Sequence, residues 1–407
     1  MRVPAVAVVV LAVSMATPPC AADVVGDVNG LALRTAGATP PAVPRALAIV
    51  NLAMFDAANA IDRRFQPYRP QPDPPRGADA DAAALGAGCA ALAALFAARQ
   101  ADVATACDAL AARLPATAAS ADGRRYGAAV GEALAAARRD DGFGAPNRYR
   151  PFTAPGTYVP TTLPIGTDAA TARPFALTSP AQFRPGPPPA LTGDAWARDF
   201  NETKAMGSRA SAQRTPAQRD TALFWASAGP QQFIDSIPDF RAATGPGAAD
   251  RARYHALLYV TMVDAGIALF DAKYAHNFWR PLSAIRNADL DGNDATERDA
   301  GWLPLIETPM HPEYPCAHCT VTAAMFTVVA SFLPDGEPLA LRAAASPGGA
   351  ASPRQWKRLA DASAEVADAR VWSGVHFRTS TAAGAALGRA VGEWILATQL
   401  RPVAPAR

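Results

Sequence analysis

RARYHALLYVTMVDAGIALFDAKYAHN, residues 251–277, is the stretch on which the fold of this chain depends. Apolar side chains lie on most sides of a helix drawn through it. Because a helix that is hydrophobic nearly all round is normally buried, the stretch predicts a central core helix. Lys273 lies near its C-terminal end, where a lysine is usually solvated. The apolar helix before it, and Phe278 and Trp279 after it, indicate a buried position instead.

Alanine-rich helical runs flank this stretch, and they predict an all-α fold of helical bundles. Half of the 407 residues are hydrophobic and 18% are charged, which is enough for a sizeable packed core. The net charge is +2 without a basic tract, so we expect no nucleic-acid partner. The other helices are predicted at about 44–61, 79–114, 121–139, from 194, 316–332, up to 369, and 380–400. The helix that ends at 369 is predicted to begin with Ser352 as N-cap and Pro353 at its first position.

The segment 141–192 interrupts these runs, because its many prolines are incompatible with a helix bundle. It is either an ordered loop that wraps the surface or a flexible linker. Its aromatic residues, among them Tyr158 and Phe175, favour packing over disorder. The sequence therefore predicts a proline-rich surface loop.

Residues 1–22 have the organisation of a secretory signal peptide. Arg2 provides a positive charge, residues 3–16 are almost wholly apolar, and small residues ending at Ala22 form a cleavage site. The apolar run is shorter than the ~20 residues that span a bilayer, which favours cleavage over a membrane anchor. We expect residues 23–407 to form one all-α domain that is secreted or periplasmic and has no stable membrane span.

Four cysteines remain after removal of the predicted signal peptide: Cys89, Cys107, Cys316 and Cys319. An oxidising compartment and an even number of cysteines favour disulfides. Pairing of sequence neighbours would join Cys89 to Cys107 and Cys316 to Cys319, although four cysteines allow three pairings.

Three clusters of basic and histidine side chains lie between residues 250 and 395. They are Lys273 followed after six residues by Arg280-Pro281, then Pro315-Cys316-Ala317-His318, then Arg370 followed after five residues by His376. Arginine binds two anion oxygens at once, and lysine adds a compact charge. The second cluster predicts a helix N-terminus, where free N–H groups bind anions and a histidine can move protons. Together the clusters predict one cage for a tetrahedral or trigonal-bipyramidal oxyanion.

The order and spacing of these clusters resemble those of vanadium-dependent haloperoxidases and type 2 phosphatidic acid phosphatases, especially the soluble bacterial haloperoxidase-like proteins. The resemblance implies the helical bundles of that superfamily. The family pattern Pro-Ser-Gly-His contains Cys316 and Ala317 here in place of serine and glycine. An aspartate that orients the histidine of the third cluster is replaced by Ser380. We expect a backbone carbonyl or another acid to orient His376 instead.

Cys316 has three open interpretations. It is a spectator replacement for serine, half of a disulfide with Cys319, or a reactive nucleophile, of which the last is disfavoured. A zinc site of Cys316, His318 and Cys319 is also disfavoured, because no second cysteine pair exists.

The resemblance implies vanadate as the cofactor, with His376 as the ligand of the metal. His318 would assist deprotonation of hydrogen peroxide, and the fixed positive charges would make the peroxide electrophilic toward halide. The implied catalytic residues are His318, His376, Lys273, Arg280 and Arg370. The implied contacts with the cofactor come from these five residues together with Cys316 and Ala317.

Two other functions use the same cage. In a phosphatase, phosphate would replace vanadate, His376 would attack phosphorus to form a phosphohistidine, and His318 would protonate the leaving group of the phosphoester. In a degenerate member, the cage would bind an oxyanion without turnover. The proline-rich segment and the expected lack of a membrane span favour the haloperoxidase.

Three further features complete the prediction. His311 lies where the family places a residue of the halide pocket, and we predict bromide over chloride. The acidic segment 289–294 is predicted to be a polar turn, because its spacing does not match a calcium-binding loop. We expect His276 to cap a helix end and His255 to be structural.

Overall fold

The computed structural model describes residues 23–37, 42–227, 245, 247–333, 339–342 and 353–403. The predicted signal peptide lies outside these residues. The α-helices are α1 Val24–Ala36, α2 Ala42–Asp62, α3 Ala80–Leu95, α4 Gln100–Ala111, α5 Ala118–Ala137, α6 Asp194–Gly207, α7 Pro216–Ser227, α8 Ala248–His276, α9 Pro281–Arg286, α10 Ala317–Phe332, α11 Leu359–Trp372 and α12 Arg378–Thr398. Single 3-10 turns occupy Ala97–Arg99, Ala169–Thr171 and Ala288–Leu290. The all-α prediction is confirmed, with one small addition in the described residues: strands β1 Leu339–Arg342 and β2 Pro353–Trp356 pair antiparallel.

Helix α8 is the central helix that its sequence predicts. It packs against α2, α10 and α12. Unlike our expectation from the sequence, it is long and apolar enough to cross a membrane, but neighbouring helices bury 78% of its most apolar window. Burial by protein therefore explains its composition here.

Small residues allow the helices around α8 to approach closely. A Cβ atom on Gly127 of α5 would lie 1.9 Å from the carbonyl oxygen of Ala83 in α3. A Cβ atom on Gly388 of α12 would lie 2.1 Å from the carbonyl oxygen of Thr320 in α10. Since neither backbone could stay in place beside a larger residue, glycine at these positions sets the spacing of both helix pairs.

The single helix predicted over 79–114 is wrong, because the chain bends by 112° between α3 and the helical segment 97–111. A disulfide joins Cys89 of α3 to Cys107 of α4, with their Cα atoms 6.1 Å apart. In one straight helix these residues would be about 27 Å apart, at 1.5 Å per residue. The predicted straight helix and the predicted disulfide were therefore incompatible, and the disulfide is present.

The predicted start of the helix before 369 is also wrong. Pro353 begins strand β2, and α11 starts at Leu359 after Arg358. Tertiary contacts explain the strand: Arg354 and Trp356 both donate hydrogen bonds to the Glu365 carboxylate of α11. Ser352, the predicted N-cap, lies outside the described residues.

The segment 141–192 contains no α-helix, as predicted, and it is an ordered loop. The buried carboxylate of Asp264, in the middle of α8, accepts hydrogen bonds from the backbone N–H groups of Phe175, Ala176 and Leu177. Further along the helix, the N–H of Tyr158 donates to Asn277. The loop is therefore fixed along α8 and reaches its C-terminal end.

Candidate active site

Five separate elements bring the predicted site residues together, and the start of α10 is one of them. Lys273 lies in the last turn of α8, and Arg280 immediately precedes α9. Between them the chain turns at Asn277, whose φ of 46° ends the helix in the left-handed region. Arg370 lies in the last turn of α11, and His376 lies in the loop before α12.

The site opens into a cavity of about 220 Å³. One part of its lining is polar and is formed by His311, Ala317, His318, Arg370 and His376. We call Arg280, Arg370, His318 and His376 the cationic floor, although Arg280 lies behind the lining. The residues of the lining that α8 supplies, Met262, Val263, Gly266, Ile267, Leu269 and Phe270, are called the apolar wall.

Arg370 is the arginine of the floor that lacks hydrogen-bond acceptors. Its side chain is 1% exposed, yet its Nε and Nη1 atoms have no hydrogen-bond acceptor. Burial and then the charge of Arg280 lower the pKa of Arg370 to about 9, so it is still cationic near neutral pH. A buried cation with two unused donors beside a cavity is costly unless an anion binds there.

Arg280 differs from Arg370, because its N–H groups donate to acceptors within the protein. Its guanidinium donates to the carbonyl oxygens of His311 at 2.9 Å and Val375 at 2.8 Å. It also lies 2.9 Å from the Nδ1 atom of His311 and 3.3 Å from the Nε2 atom of His376. Burial lowers its pKa to about 10, against the opposing charge of Glu313. Arg280 thus connects the two loops that carry His311 and His376.

Lys273 is fully buried, as predicted, but it does not line the cavity. Its ammonium donates to the carbonyl oxygens of Pro312 at 2.8 Å, Glu313 at 2.9 Å and Pro315 at 2.5 Å. All three N–H groups are therefore used by the turn that leads into α10. In this arrangement Lys273 contributes its charge and holds that turn, instead of presenting a free donor.

His376 is held by an acid that we did not single out in the sequence. Its Nδ1 atom is 2.8 Å from the Oε1 atom of Glu313, which also accepts the N–H of Phe377 at 3.0 Å. The hydroxyl of Ser380 is 3.5 Å from the same Nδ1 atom. The carboxylate assigns the proton to Nδ1, which leaves a lone pair on Nε2. Glu313 therefore takes the orienting role that we expected another acid or a carbonyl to fill.

Burial of Glu313 and His376 opposes charge on both side chains. Burial raises the pKa of Glu313 to about 7, although Arg280 and Lys273 lower it. Burial, and then the charges of Arg280 and Lys273, hold the pKa of His376 well below its ordinary value. The pair is thus a neutral imidazole beside a carboxylate that titrates near neutrality.

His318 lies in the first turn of α10, as predicted, and its Nε2 atom has no hydrogen-bond partner. Burial, followed by the charges of Arg370 and Arg280, keeps its pKa well below the ordinary value. The first N–H groups of an α-helix have no partner inside the helix, and Ala317 at this helix start lines the cavity. An anion here would meet free N–H groups and would raise the pKa of His318.

Cys316 is joined to Cys319 in a disulfide, so the pairing of sequence neighbours is the one present. Its sulfur accepts a hydrogen bond from the N–H of Cys319 at the start of α10. A bridged sulfur has no proton to donate, so the expected hydrogen bond from Cys316 to the oxyanion is absent from this arrangement. The disulfide likewise excludes the nucleophile and the zinc interpretations for this oxidised state.

His311 is buried and lines the cavity, where its ring packs edge-on against Phe270 at 5.6 Å. Burial and the charges of Lys273 and Arg280 keep its pKa well below the ordinary value. Its Nδ1 atom lies 2.9 Å from Arg280 and 3.2 Å from the carbonyl oxygen of Pro312. Because arginine can only donate, the nearer contact places the proton on Nε2. His311 is therefore a neutral side chain in the polar part of the lining.

A cluster of aromatic side chains supports the loop of His376. Trp196 contacts Phe377 with ring centroids 4.8 Å apart, and its indole N–H donates to Asp291 at 2.8 Å. Asp291 also accepts the N–H of Asn293, so the acidic segment is the polar turn that we predicted. It anchors the aromatic cluster.

The other two histidines lie outside the cavity lining. The Nε2 atom of His276, at the end of α8, is 3.0 Å from the carbonyl oxygen of Pro185 in the proline-rich loop. His255 packs against Tyr254 and Tyr259. Across the described ranges, no group of three or more His, Cys, Asp or Glu could hold a metal ion.

Comparison with known proteins agrees with this architecture. Residues 253–404 match the family model of the VCPO second helical-bundle domain. The chain is 32% identical over 145 residues to the vanadium chloroperoxidase of Curvularia inaequalis, a match that covers 29% of this chain and 23% of that protein.

Two solved structures share the fold over most of the chain. The crystal structure of a bacterial vanadium-dependent iodoperoxidase covers 94% of this chain and 97% of its own, with a TM-score of 0.75 and 22% identity. The holo form of a bacterial vanadium-dependent chloroperoxidase covers 89% and 94%, with a TM-score of 0.66 and 17% identity. The family model covers the residues that carry the candidate site, and the two solved structures share the fold of the chain.

Proposed function

We propose that this protein is an exported, vanadate-dependent enzyme of the haloperoxidase type, which oxidises halide with hydrogen peroxide. The observation that carries the proposal is the buried guanidinium of Arg370, with two unused donors at the end of a cavity. The unpartnered Nε2 atom of His318 and the Nε2 lone pair of His376 belong to the same floor. An oxyanion would accept hydrogen bonds from Arg370 and from protonated His318, and its central atom would accept the lone pair of His376.

Vanadate fits this set of residues by charge and donor chemistry. The Nε2 atom of His376 would bind the metal, and Arg280 and Arg370 would neutralise the oxygens. The start of α10 at Ala317 would add backbone N–H donors, and Lys273 would add charge from behind the floor. Bound vanadate would supply a Lewis-acidic centre that makes hydrogen peroxide electrophilic toward halide.

The residues of the chain then perform the remaining tasks. Glu313 keeps the proton of His376 on Nδ1 and so keeps Nε2 available. With an oxyanion bound, the pKa of His318 would rise from its lowered value, and the Nε2 atom of His318 would accept a proton from hydrogen peroxide and return it to the departing hydroxide, which leaves as water. The net reaction is H₂O₂ + X⁻ + H⁺ → HOX + H₂O.

The neutral His311 is the candidate for contact with the halide. It lines the cavity beside the floor, and we infer that its Nε2–H donates to the halide. We propose bromide over chloride as the substrate, because bromide is the easier of the two to oxidise. Relative initial rates with the two halides at equal concentration test this order.

A phosphomonoesterase is the second candidate, and one observation favours it. A histidine whose Nδ1–H is held by a carboxylate and whose Nε2 faces a cationic site is also arranged as a nucleophile toward phosphorus. His318 would then protonate the leaving group. An oxyanion-binding protein without turnover is the remaining alternative.

A paired assay on the mature protein separates these functions. One sample is loaded with vanadate and tested for peroxide-dependent bromide oxidation, and the other is kept free of vanadate and tested for hydrolysis of an aryl phosphate. We expect bromide oxidation that requires vanadate and disappears in His376→Ala. Hydrolysis that vanadate inhibits, without bromide oxidation, would establish the phosphatase. Neither activity would favour the oxyanion-binding protein.

Export is part of the proposal and has its own test. If the signal peptide is cleaved as its sequence predicts, the protein recovered outside the cytoplasm begins at Asp23. N-terminal sequencing measures this directly, and retention of Met1 in that fraction would contradict it.

A further inference from the structure

The cavity extends well beyond the cationic floor, and apart from His311 and Thr322 its other described lining residues are apolar. Besides the apolar wall, the lining includes Phe143, Ala169 and Pro309 from loops, and Val321 from α10. Charged groups among the described lining residues are confined to the floor. A halide ion or hydrogen peroxide needs neither this volume nor these apolar contacts.

Gly266 is an unusual residue in this wall. It lies inside the 29-residue helix α8, where glycine is less stable than alanine. Among the helical glycines of the described residues, Gly266 alone has no heavy atom within 4 Å of a Cβ added to it. Gly127 and Gly388, by contrast, are required by neighbouring backbone. Helix packing therefore does not explain Gly266, whereas the open cavity beside it does.

The volume and the lining indicate what could occupy this space. A dry apolar cavity of about 150 Å³ can hold benzene, so about 220 Å³ is enough for one substituted ring. Phe143, Phe270 and Met262 provide ring and thioether surfaces, which contact aromatic rings favourably. Among the described residues, the lining contains no carboxylate that would attract a cation. Arg370 is the group that binds the oxyanion in the proposed function.

We propose that this cavity binds an uncharged, electron-rich aromatic substrate of one ring, a phenol being the simplest, and that Gly266 sets the size of the ring it accepts. The inference rests on the proposed haloperoxidase function. It adds that the organic acceptor is halogenated inside the protein, next to the floor where halide is oxidised.

The chemistry balances with the co-reactants already named. Halide oxidation gives HOX, and the ring attacks the halogen of HOX, so that a carbon–halogen bond forms as the halogen–oxygen bond breaks. The ring then loses a proton, which leaves with the hydroxide as water: ArH + HOX → ArX + H₂O. Two electrons pass from the halide to the peroxide, and none are left over.

Phenol is a suitable probe, and Gly266→Leu is the variant that fills the cavity. Because a Cβ atom meets nothing within 4 Å, the leucine side chain can enter the cavity without moving backbone. Ala275→Leu, at an exposed position near the end of the same helix, is the matched control. Gly266→Ala provides an intermediate step in size.

Binding of phenol to vanadate-free protein is measured first by calorimetry. We expect the wild type and Ala275→Leu to bind one equivalent, and Gly266→Leu to bind roughly tenfold more weakly or worse. With vanadate, bromide and peroxide, the ortho-to-para ratio of bromophenol from the wild type should differ from that given by hypobromous acid alone. Gly266→Leu should return this ratio to the chemical value, while its bromide oxidation without phenol stays within about twofold of the wild type.

Two results would overturn the inference. One is a wild-type product ratio equal to that of free hypobromous acid, together with phenol binding that Gly266→Leu leaves unchanged. The other is an equal loss of bromide oxidation and phenol bromination in Gly266→Leu, which would make the cavity a passage for small reactants. Failure of the proposed function is separately visible as absence of bromide oxidation in the wild type, whereas calorimetry still tests the aromatic pocket.

Discussion

The cationic floor and the apolar wall border the same cavity, but opposite physical rules govern them. In the wall, side chains such as Ile267 are buried among other apolar groups, and burial stabilises the fold. In the floor, burial opposes charge, and it lowers the pKa of Arg370 and Arg280. A protein retains such groups when a ligand supplies the missing interactions. The contrast teaches that residues adapted to bind a ligand can be recognised by buried hydrogen-bonding groups that have no partner in the protein.

Within the floor the two arginines differ in how many of their N–H groups donate to the protein. Arg280→Met should therefore have the largest effect on stability and on binding of vanadate. Loss of Arg280 leaves three buried acceptors without a partner and removes a counter-charge of Glu313. We expect the free energy of unfolding to fall by about 2 kcal/mol or more, because unpaired buried polar groups are costly. Binding of vanadate should also be lost. Urea denaturation and equilibrium dialysis measure the two effects, and unchanged stability would contradict the connecting role of Arg280.

Arg370→Met should weaken ligand binding but stabilise the ligand-free protein. Loss of two charge-assisted hydrogen bonds should reduce affinity for vanadate or phosphate roughly hundredfold. Since Arg370 is a buried cation with two unused donors, an apolar replacement should raise the free energy of unfolding by about 1 kcal/mol. The same urea and dialysis measurements apply, with Arg280→Met as the matched comparison. If both variants lose stability equally, the distinction between the two arginines is wrong.

Glu313→Gln tests whether the floor needs a carboxylate behind His376. We expect activity to fall by about 10- to 100-fold, the usual effect of removing a group that orients a metal ligand. In the wild type, the pKa of Glu313 is raised to about 7, so its carboxylate form is lost as the pH falls through that value. Activity should decline below about pH 7 for this reason.

A pH profile of kcat/KM distinguishes orientation by the carboxylate from simple packing. Glutamine does not titrate, so the decline near pH 7 should be absent from Glu313→Gln. Persistence of the same decline in the variant would assign it to another group. Ser380→Ala is a graded comparison, because the Ser380 hydroxyl donates to the Glu313 carboxylate and lowers its pKa, so that its loss should move the decline to higher pH without abolishing it.

Ile267→Val represents the wall and should have the smallest effect. Removal of one buried methyl group costs about 1 kcal/mol of stability. Halide oxidation should stay within about twofold of the wild type, because Ile267 has no polar or titratable group and valine keeps the lining apolar. Urea denaturation and initial rates check both values. A large loss of halide oxidation would show that wall and floor are coupled.

Local patterns in the sequence were enough for the elements whose structure depends on nearby residues. The apolar periodicity of 251–277 predicted the central helix, and the prolines of 141–192 predicted a loop. The three clusters were recognisable because lysine, arginine and histidine at these spacings are themselves the chemistry of an oxyanion site. None of these three patterns depends on a tertiary contact.

Other features were decided by residues that are distant in the chain. The bend after α3 depends on the Cys89–Cys107 disulfide, and strand β2 depends on the contacts of Arg354 and Trp356 with Glu365. Glu313 was overlooked, although its acidic side chain stands between prolines just before α10. It is 63 residues from His376, so only folding reveals that it replaces the aspartate absent at Ser380. Arg370, Arg280 and Lys273 are all buried, but of these three only Arg370 keeps unused donors. This difference arises from three-dimensional packing and has no counterpart in local sequence.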